Sequence, residues 1–215
     1  MADNLSNVLA RLGEARILPV VELDTSEAAL PLAKALMAGG LPVAEITFRS
    51  EAAADSIGIL RERIPEMLVG AGTVLDIEQV EQAHRAGSQF VVTPGFNPAV
   101  VEACLETGLP VLPGINNPTG VERALGFGLD AVKFFPAEAS GGVPFLKALS
   151  GPYPFVRFVP TGGIGPDNLG DYLALPNVLA CGGSWIVSPT LVRASRFDEV
   201  ARLAGEAVAL AARNA

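Results

Sequence analysis

Short apolar runs alternate with amphipathic stretches along almost the whole chain, and this alternation predicts strands separated by helices. The runs are rich in Val, Ile and Leu and have the length of buried strands. The predicted strands are residues 17–23, 41–47, 67–72, 90–93, 109–113, 130–136, 155–159 and 178–181. A helix at about residues 4–12 precedes the first strand, and a last helix begins near Phe197. Strands that alternate with helices in this way predict a parallel sheet.

Eight parallel strands are the number that closes a barrel. We therefore predict an α/β fold with one domain over residues 1–215, a single (β/α)8 TIM barrel with an extra N-terminal helix. No break in composition, long linker or low-complexity tract divides the chain. The alternative is an open doubly wound sheet, which the lack of Gly-x-Gly-x-x-Gly after the first strand disfavours.

Several helix starts are marked by capping residues. Asn97-Pro98 and Asn117-Pro118 each follow a predicted strand, and Asp76 is followed three residues later by Gln79. Asn accepts hydrogen bonds from free amides at a helix start, and Pro needs no amide at the first helical position. These pairs predict helices that begin directly after strands.

The 215 residues carry a net charge of −8, which argues against a nucleic-acid partner. A small anionic group remains compatible with this charge, because backbone amides are able to bind it. The first residues, Met1 to Glu14, lack the pattern of a signal peptide, and no apolar stretch reaches the length of a membrane span. We expect a cytoplasmic protein without a membrane partner.

The chain has few cysteine and histidine residues that could bind a metal or act in nucleophilic catalysis. Cys104 and Cys181 lie in different predicted elements and are interpreted as buried, reduced thiols. His84 is the one histidine, on a predicted helix, so neither a zinc site built from several imidazoles nor a well-placed Ser-His-Asp triad is expected. We predict no metal and no cofactor.

Lys133 stands in the middle of an apolar strand, between Val132 and Phe134. Burial disfavours an ammonium ion, and the neutral amine is the form that attacks a carbonyl carbon to give a Schiff base. The competing interpretation is a lysine whose stem is buried while its amine reaches the solvent. Lys34 and Lys147 lie on predicted helices and are weaker candidates for the same chemistry.

Candidate site residues stand near the ends of several predicted strands, where such barrels place their active sites. They are Glu45, Arg49, Thr73, Thr93, Pro94, Lys133 and Thr161. Glu45 lies within an apolar strand, where a carboxyl group suits proton transfer. It is alternatively one half of a structural ion pair with Lys133 or Arg49. Arg49 follows that strand and is a candidate to bind a carboxylate through two hydrogen bonds.

Glycine-rich loops follow the last two predicted strands. Thr161-Gly162-Gly163 and Gly182-Gly183-Ser184 leave backbone amides open where barrels commonly bind phosphate. Ser184 adds a hydroxyl group, and a short helix is predicted at Trp185–Val187. Tight turns are the plainer explanation of these glycines, but two such loops favour a phosphate site.

Four motifs resemble the bacterial 2-keto-3-deoxy-6-phosphogluconate (KDPG) and 4-hydroxy-2-oxoglutarate (KHG) aldolases. They are Gly70-Ala71-Gly72-Thr73-Val74-Leu75, Lys133-Phe134-Phe135-Pro136-Ala137-Glu138, Pro160-Thr161-Gly162-Gly163-Ile164 and Gly182-Gly183-Ser184-Trp185. The resemblance runs in order from about Ile17 to Val187. It implies a metal-free class I aldolase of the Entner-Doudoroff pathway that is a homotrimer.

The resemblance also implies roles for particular residues. Lys133 corresponds to the Schiff-base lysine and Glu45 to the general acid and base. The keto-acid carboxylate is bound by Arg49 and Thr73, and Pro94 and Phe135 form the pocket walls. The phosphate end corresponds to Thr161, Gly162, Gly163 and Ser184.

The implied substrate is KDPG, cleaved to pyruvate and D-glyceraldehyde 3-phosphate, with KHG cleaved to pyruvate and glyoxylate. Ile115-Asn116-Asn117-Pro118 departs from the small Ser and Thr residues of the family pattern at the pocket mouth, which leaves substrate preference open. Two other functions share the phosphate loops: a phosphoribosyl-type isomerase or synthase, and a sugar-phosphate sensor without catalysis.

Overall fold

The computed structural model of the protein describes residues 2–213. Met1, Asn214 and Ala215, which the domain prediction includes, lie outside the described residues. The strands are β1 (Ile17–Val21), β2 (Val43–Thr47), β3 (Leu68–Gly72), β4 (Val91–Val92), β5 (Val111–Leu112), β6 (Gly114–Ile115), β7 (Ala131–Phe134), β8 (Arg157–Pro160) and β9 (Cys181–Gly183). The helices are α1 (Ala2–Ala15), α2 (Ala29–Ala38), α3 (Ala53–Arg63), α4 (Ile77–Arg85), α5 (Pro98–Thr107), α6 (Pro118–Gly126), α7 (Gly142–Ser150), α8 (Leu169–Leu173), α9 (Pro189–Arg193) and α10 (Phe197–Ala212).

Three predicted helix starts are confirmed by side-chain caps. The Asn97 side chain accepts a hydrogen bond from the Ala99 amide at the start of α5, and Asn117 caps α6 in the same manner. At α4, Asp76 accepts from the Gln79 amide, while the Gln79 side chain accepts from the amide of Leu75. The reciprocal pair satisfies amides that no helical carbonyl reaches.

The strands form two parallel sheets. The larger has the order β5-β4-β3-β2-β1-β9, and the smaller has the order β6-β7-β8. Glu45 is paired with Val20 on one side and with Gly70 on the other. Lys133 is paired with Gly114 and Val159. The six-stranded sheet therefore carries Glu45 and the three-stranded sheet carries Lys133.

The predicted α/β class and the leading helix are observed, but the prediction of one closed (β/α)8 TIM barrel is wrong. The six-stranded sheet is a curled parallel half-barrel, and the three-stranded sheet is separate from it. The predicted strand at residues 109–113 is interrupted at Pro113, which has no amide to donate to a ladder. At the other junction, β8 meets the 178–182 segment only through the isolated bridges Phe158↔Val178 and Thr161↔Gly182.

Helix α1 closes one end of the space between the sheets. Its apolar residues Val8, Leu9 and Leu12 are buried in a cluster that contains inward-facing residues of the strands, among them Phe90. Phe90 lies against Gly70, where an added Cβ would come within 2.3 Å of its ring. With this end filled, the polar residues lie at the opposite ends of the strands. The larger core cluster lies between the strands and the surrounding helices.

The helices of the described region are too short, or too polar, to cross a membrane.

Candidate active site

Lys133 lies near the end of β7 and is almost fully buried, with 4% of its surface exposed. Its Nζ atom donates a hydrogen bond to Glu45 Oε1 at 3.3 Å. The same atom lies 5.2 Å from the centre of the Phe135 ring, within the range of a cation–π contact. The amine therefore points into the protein interior, and the interpretation of a lysine that reaches bulk solvent is wrong.

Glu45 is completely buried on β2, and its second carboxylate oxygen, Oε2, has no hydrogen-bond partner among the described residues. Gly72 on the neighbouring strand makes room for it, because a Cβ at Gly72 would lie 2.2 Å from Oε1. A buried polar atom without a partner is costly in a stable fold. Glu45 thus has one oxygen bound to Lys133 and one available to a substrate or a water molecule.

Arg49 and Thr73 follow β2 and β3, two neighbouring strands. Arg49 is half exposed, and its Nη1 atom donates to Glu22 Oε2 at 3.3 Å. Thr73 has a left-handed backbone with a φ of 55°, which is unusual for a β-branched residue. Backbone strain of this kind clusters at functional sites. The structure gives Glu45 and Arg49 different partners, so their predicted alternative ion pair does not form.

Pro94 and Phe135 are both half-buried and line a cleft of about 610 Å³. The loop that departs from the family pattern, at Ile115 to Asn117, lines the same cleft. The Phe135 ring therefore lies both in the lining of this cleft and 5.2 Å from the Lys133 amine. Arg123 on α6 adds a positive charge to the lining.

The two glycine-rich loops lie side by side, because Thr161 and Gly182 form a bridge. Thr161 is buried, and Gly162 and Gly163 have φ angles of 104° and 80°, which favour glycine. Ser184 is exposed at the second loop. The four predicted phosphate residues are thus brought to one edge of the structure, beside the end of β7.

The helix predicted at Trp185–Val187 is wrong. These residues form a turn, and the helix begins at Pro189 after Ser188, whose side chain accepts from the Leu191 amide. A serine followed by proline is a stronger helix start than an apolar run.

The other lysine, histidine and cysteine residues considered for catalysis are either exposed on helices or buried as protonated thiols. Lys34, Lys147 and His84 are exposed on helices. Burial raises the pKa of the Cys104 thiol to about 12, and it raises the pKa of Cys181 as well. Both thiols are free. Within residues 2–213, no group of three His, Cys, Asp or Glu side chains is arranged to hold a metal ion.

Sequence reasoning did not single out several polar neighbours of these residues. Glu22 directly follows β1 and binds Arg49, and the available signal was a charged residue near the end of the predicted apolar strand 17–23. Glu138 binds the hydroxyl of Tyr172 beside the glycine-rich loops. Glu138 belongs to the quoted 133–138 motif, whereas nothing in the sequence pattern marks Tyr172.

A buried amine in contact with a buried carboxylate, beside a cleft and two open glycine loops, is the arrangement of an enzyme that forms a Schiff base with a carbonyl substrate. The comparison with known proteins narrows this class. The model of the family "KDPG and KHG aldolase" matches residues 8–203. The chain belongs to this family of carbon–carbon lyases.

The similar proteins cover nearly all of the chain. The 2-dehydro-3-deoxy-phosphogluconate aldolase of Haemophilus influenzae is 52% identical over 208 residues, which are 97% of this chain and 98% of that protein. The KHG/KDPG aldolase of Escherichia coli K12 is 45% identical over 192 residues, 89% and 90% of the two chains. A KDPG aldolase from Legionella pneumophila, solved with pyruvate captured as a covalent carbinolamine, has a TM-score of 0.90 and 38% identity, and the match covers 93% of this chain and 97% of that one.

Proposed function

We propose that this protein is a class I aldolase that cleaves KDPG to pyruvate and D-glyceraldehyde 3-phosphate, and that also cleaves KHG to pyruvate and glyoxylate. The observation that carries the proposal is the buried contact of 3.3 Å between Lys133 Nζ and Glu45 Oε1. Family membership supports it, and neither the isomerase nor the sensor is favoured by the comparisons.

The Lys133–Glu45 pair explains how the amine becomes nucleophilic. An ammonium beside a carboxylate and an amine beside a carboxylic acid have the same net charge, so a proton can pass between them inside the protein. Transfer of this proton to Glu45 leaves Lys133 as the neutral amine that attacks a carbonyl carbon. Lys133 then attacks C2 of the keto acid, and one amine proton moves to the former carbonyl oxygen to give a carbinolamine. Glu45 gives the proton that it took from the ammonium to the carbinolamine hydroxyl group, which leaves as water, so that the protonated imine and the Glu45 carboxylate remain.

Glu45 is proposed to move the protons of the cleavage. The protonated imine accepts the electron pair of the C3–C4 bond as that bond breaks, and the C4 hydroxyl group loses its proton to the Glu45 carboxylate, directly or through water. The products at this point are the aldehyde and an enamine on Lys133. Glu45 returns the proton to the enamine carbon, and water hydrolyses the imine to release pyruvate and the free amine.

We assign the residues that bind the two ends of the substrate from their positions after the strands. Arg49 and Thr73 bind the carboxylate of the keto acid, and Pro94 and Phe135 enclose its carbon chain. Thr161, Gly162, Gly163 and Ser184 bind the phosphate group through amides and hydroxyls. The open amides of the two left-handed glycines support this assignment.

We also propose that the protein is a cytoplasmic homotrimer, on the basis of its family resemblance. Light scattering of the purified protein tests the assembly, and a mass three times the 22.2 kDa of one chain is expected. A monomeric mass at micromolar concentration would contradict the trimer.

The function is tested by replacing Lys133 and a matched surface lysine. Pyruvate release from KDPG is followed for the wild type, Lys133→Met and Lys147→Met. The Lys147→Met variant changes an exposed helix residue and is expected to keep full activity. The Lys133→Met variant is expected to have no turnover while its circular dichroism spectrum stays that of a folded protein. Turnover by folded Lys133→Met would overturn the proposal.

A further inference from the structure

Tyr172 is a completely buried tyrosine on α8, and its hydroxyl donates a hydrogen bond to Glu138 Oε1. Burial and the neighbouring Glu138 carboxylate raise the pKa of Tyr172, so its hydroxyl stays a donor at all physiological pH values. The catalytic steps proposed above use neither residue. The pair nevertheless lies next to the loops assigned to the phosphate group.

Glu138 lies directly against the first of these loops. An added Cβ at Gly163 would come within 2.6 Å of Glu138 Cγ, and the Glu138 amide donates to the Gly162 carbonyl at 3.1 Å. On its other side the loop is held by Asn168, whose Nδ2 donates to Gly163 O at 3.0 Å and whose Oδ1 accepts from the Gly165 amide at 2.9 Å. The backbone of the loop is therefore fixed from both sides.

The negative charge of Glu138 lies beside the loop that is assigned to the phosphate group. A carboxylate and a phosphate group are both anions that bind backbone amides, and like charges repel at short range. A side chain that contacts Gly163 is close enough to compete for the loop amides if it is free to rotate. The hydrogen bond from Tyr172 holds the Glu138 carboxylate in one direction.

We propose that Tyr172 is a positioning residue that selects for phosphorylated substrates, because it holds the Glu138 carboxylate away from the amides of Gly162 and Gly163. The inference rests on the proposed function, since it assumes that these amides take the phosphate group. It predicts that loss of the tyrosine hydroxyl weakens binding of the phosphate and leaves the chemistry at Lys133 unchanged.

The test compares KDPG with 2-keto-3-deoxygluconate, the same acid without its phosphate. Tyr172→Phe removes one oxygen atom and keeps the buried ring. We expect the KM for KDPG to rise about tenfold with kcat unchanged, because a hydrogen bond to a charged group is lost and the freed carboxylate competes with the phosphate. The KM for the unphosphorylated acid is expected to change less than twofold. Equal changes for both substrates would overturn the inference.

The chain provides a matched control in Tyr153, whose hydroxyl donates to Glu122 at 3.0 Å outside the site. Tyr153→Phe removes the same type of hydrogen bond and is expected to leave both KM values unchanged. Repeating Tyr172→Phe in a Glu138→Gln variant shows whether its effect depends on the Glu138 charge or on a general loosening of the loop. In that background, Tyr172→Phe is expected to change the KM for KDPG less than twofold, because no carboxylate remains to be held. A tenfold rise in the Glu138→Gln background would also overturn the inference.

The outcome for the wild type separates this inference from the proposed function. If the wild type releases no pyruvate from KDPG, the proposed function fails. If the wild type cleaves KDPG and Tyr172→Phe has an unchanged KM for it, only the role of Tyr172 fails. Melting temperatures of all variants identify any loss of folding.

Discussion

Replacing Gly72 by alanine tests whether the position of Glu45 depends on a strand neighbour without a side chain. The added Cβ would lie 2.2 Å from Oε1, 2.4 Å from Cγ and 2.6 Å from Cδ of Glu45. Cβ atoms essentially never approach other atoms below 3.0 Å, so the shortfall at Oε1 is 3.0 − 2.2 = 0.8 Å. Because Glu45 is fully buried, its side chain has no open solvent to move into.

This displacement acts on the group proposed to move protons. A misplacement of about 1 Å in a catalytic arrangement lowers the rate by about 100-fold. We therefore expect Gly72→Ala to reduce kcat for KDPG by about that factor. Overpacking of the core is also expected to lower the free energy of unfolding by about 1–3 kcal/mol.

The assay couples pyruvate release to lactate dehydrogenase, and urea unfolding measures stability in parallel. The control is Gly58→Ala in α3, where an added Cβ meets no atom within 4 Å. This control is expected to keep its kcat and to gain roughly 0.5–1 kcal/mol, because alanine favours a helix more than glycine does. A folded Gly72→Ala enzyme with kcat within twofold of the wild type would refute the reasoning about Glu45.

Three further predictions follow from burial and charge. Lys133→Met leaves the Glu45 carboxyl buried without its partner, so the free energy of unfolding should fall by about 3–5 kcal/mol, and adding Glu45→Gln should restore most of this loss. Equal urea midpoints of the single and double variants would contradict this. Burial raises the pKa of Cys104 to about 12 and also raises that of Cys181, so neither thiol of the folded protein should react with Ellman's reagent at pH 8. The free energy of unfolding should fall as the pH rises from 9.0, the ordinary thiol pKa, towards 12, because the unfolded chain loses these protons first. Rapid labelling of the folded protein would contradict this. Arg49→Ala should raise the KM for both KDPG and KHG about tenfold, because both substrates have the same keto-acid end. The melting temperature should change little, because the ion pair between Arg49 and Glu22 is exposed. An unchanged KM would show that Arg49 does not bind the substrate.

The sequence was sufficient to predict the buried pair, because an apolar strand makes a charged residue conspicuous. Lys133 and Glu45 each interrupt a hydrophobic run, and the structure places them in contact. Helix starts were also predictable where a capping side chain acts within three residues, as at Asp76 and Asn117. Local chemistry determines these features, so local sequence reveals them.

Features that depend on partner strands were not predictable in the same way. The run from Leu109 to Pro113 is uniformly apolar, so its periodicity does not show that its hydrogen-bond partner changes at Pro113. The pairing of Arg49 with Glu22 joins residues 27 positions apart, and composition does not distinguish it from a pairing with Glu45. Register and long-range pairing follow from the packing of the whole chain.

The measurement that tests the central claim most directly is reduction with borohydride in the presence of pyruvate, followed by peptide mass analysis. A class I aldolase forms an imine with pyruvate, and borohydride converts it into a stable secondary amine on the lysine. We expect the mass increase on the peptide that contains Lys133, and we expect none when pyruvate is left out. A modification located on Lys34 or Lys147, or no modification of an enzyme that cleaves KDPG, would contradict the account.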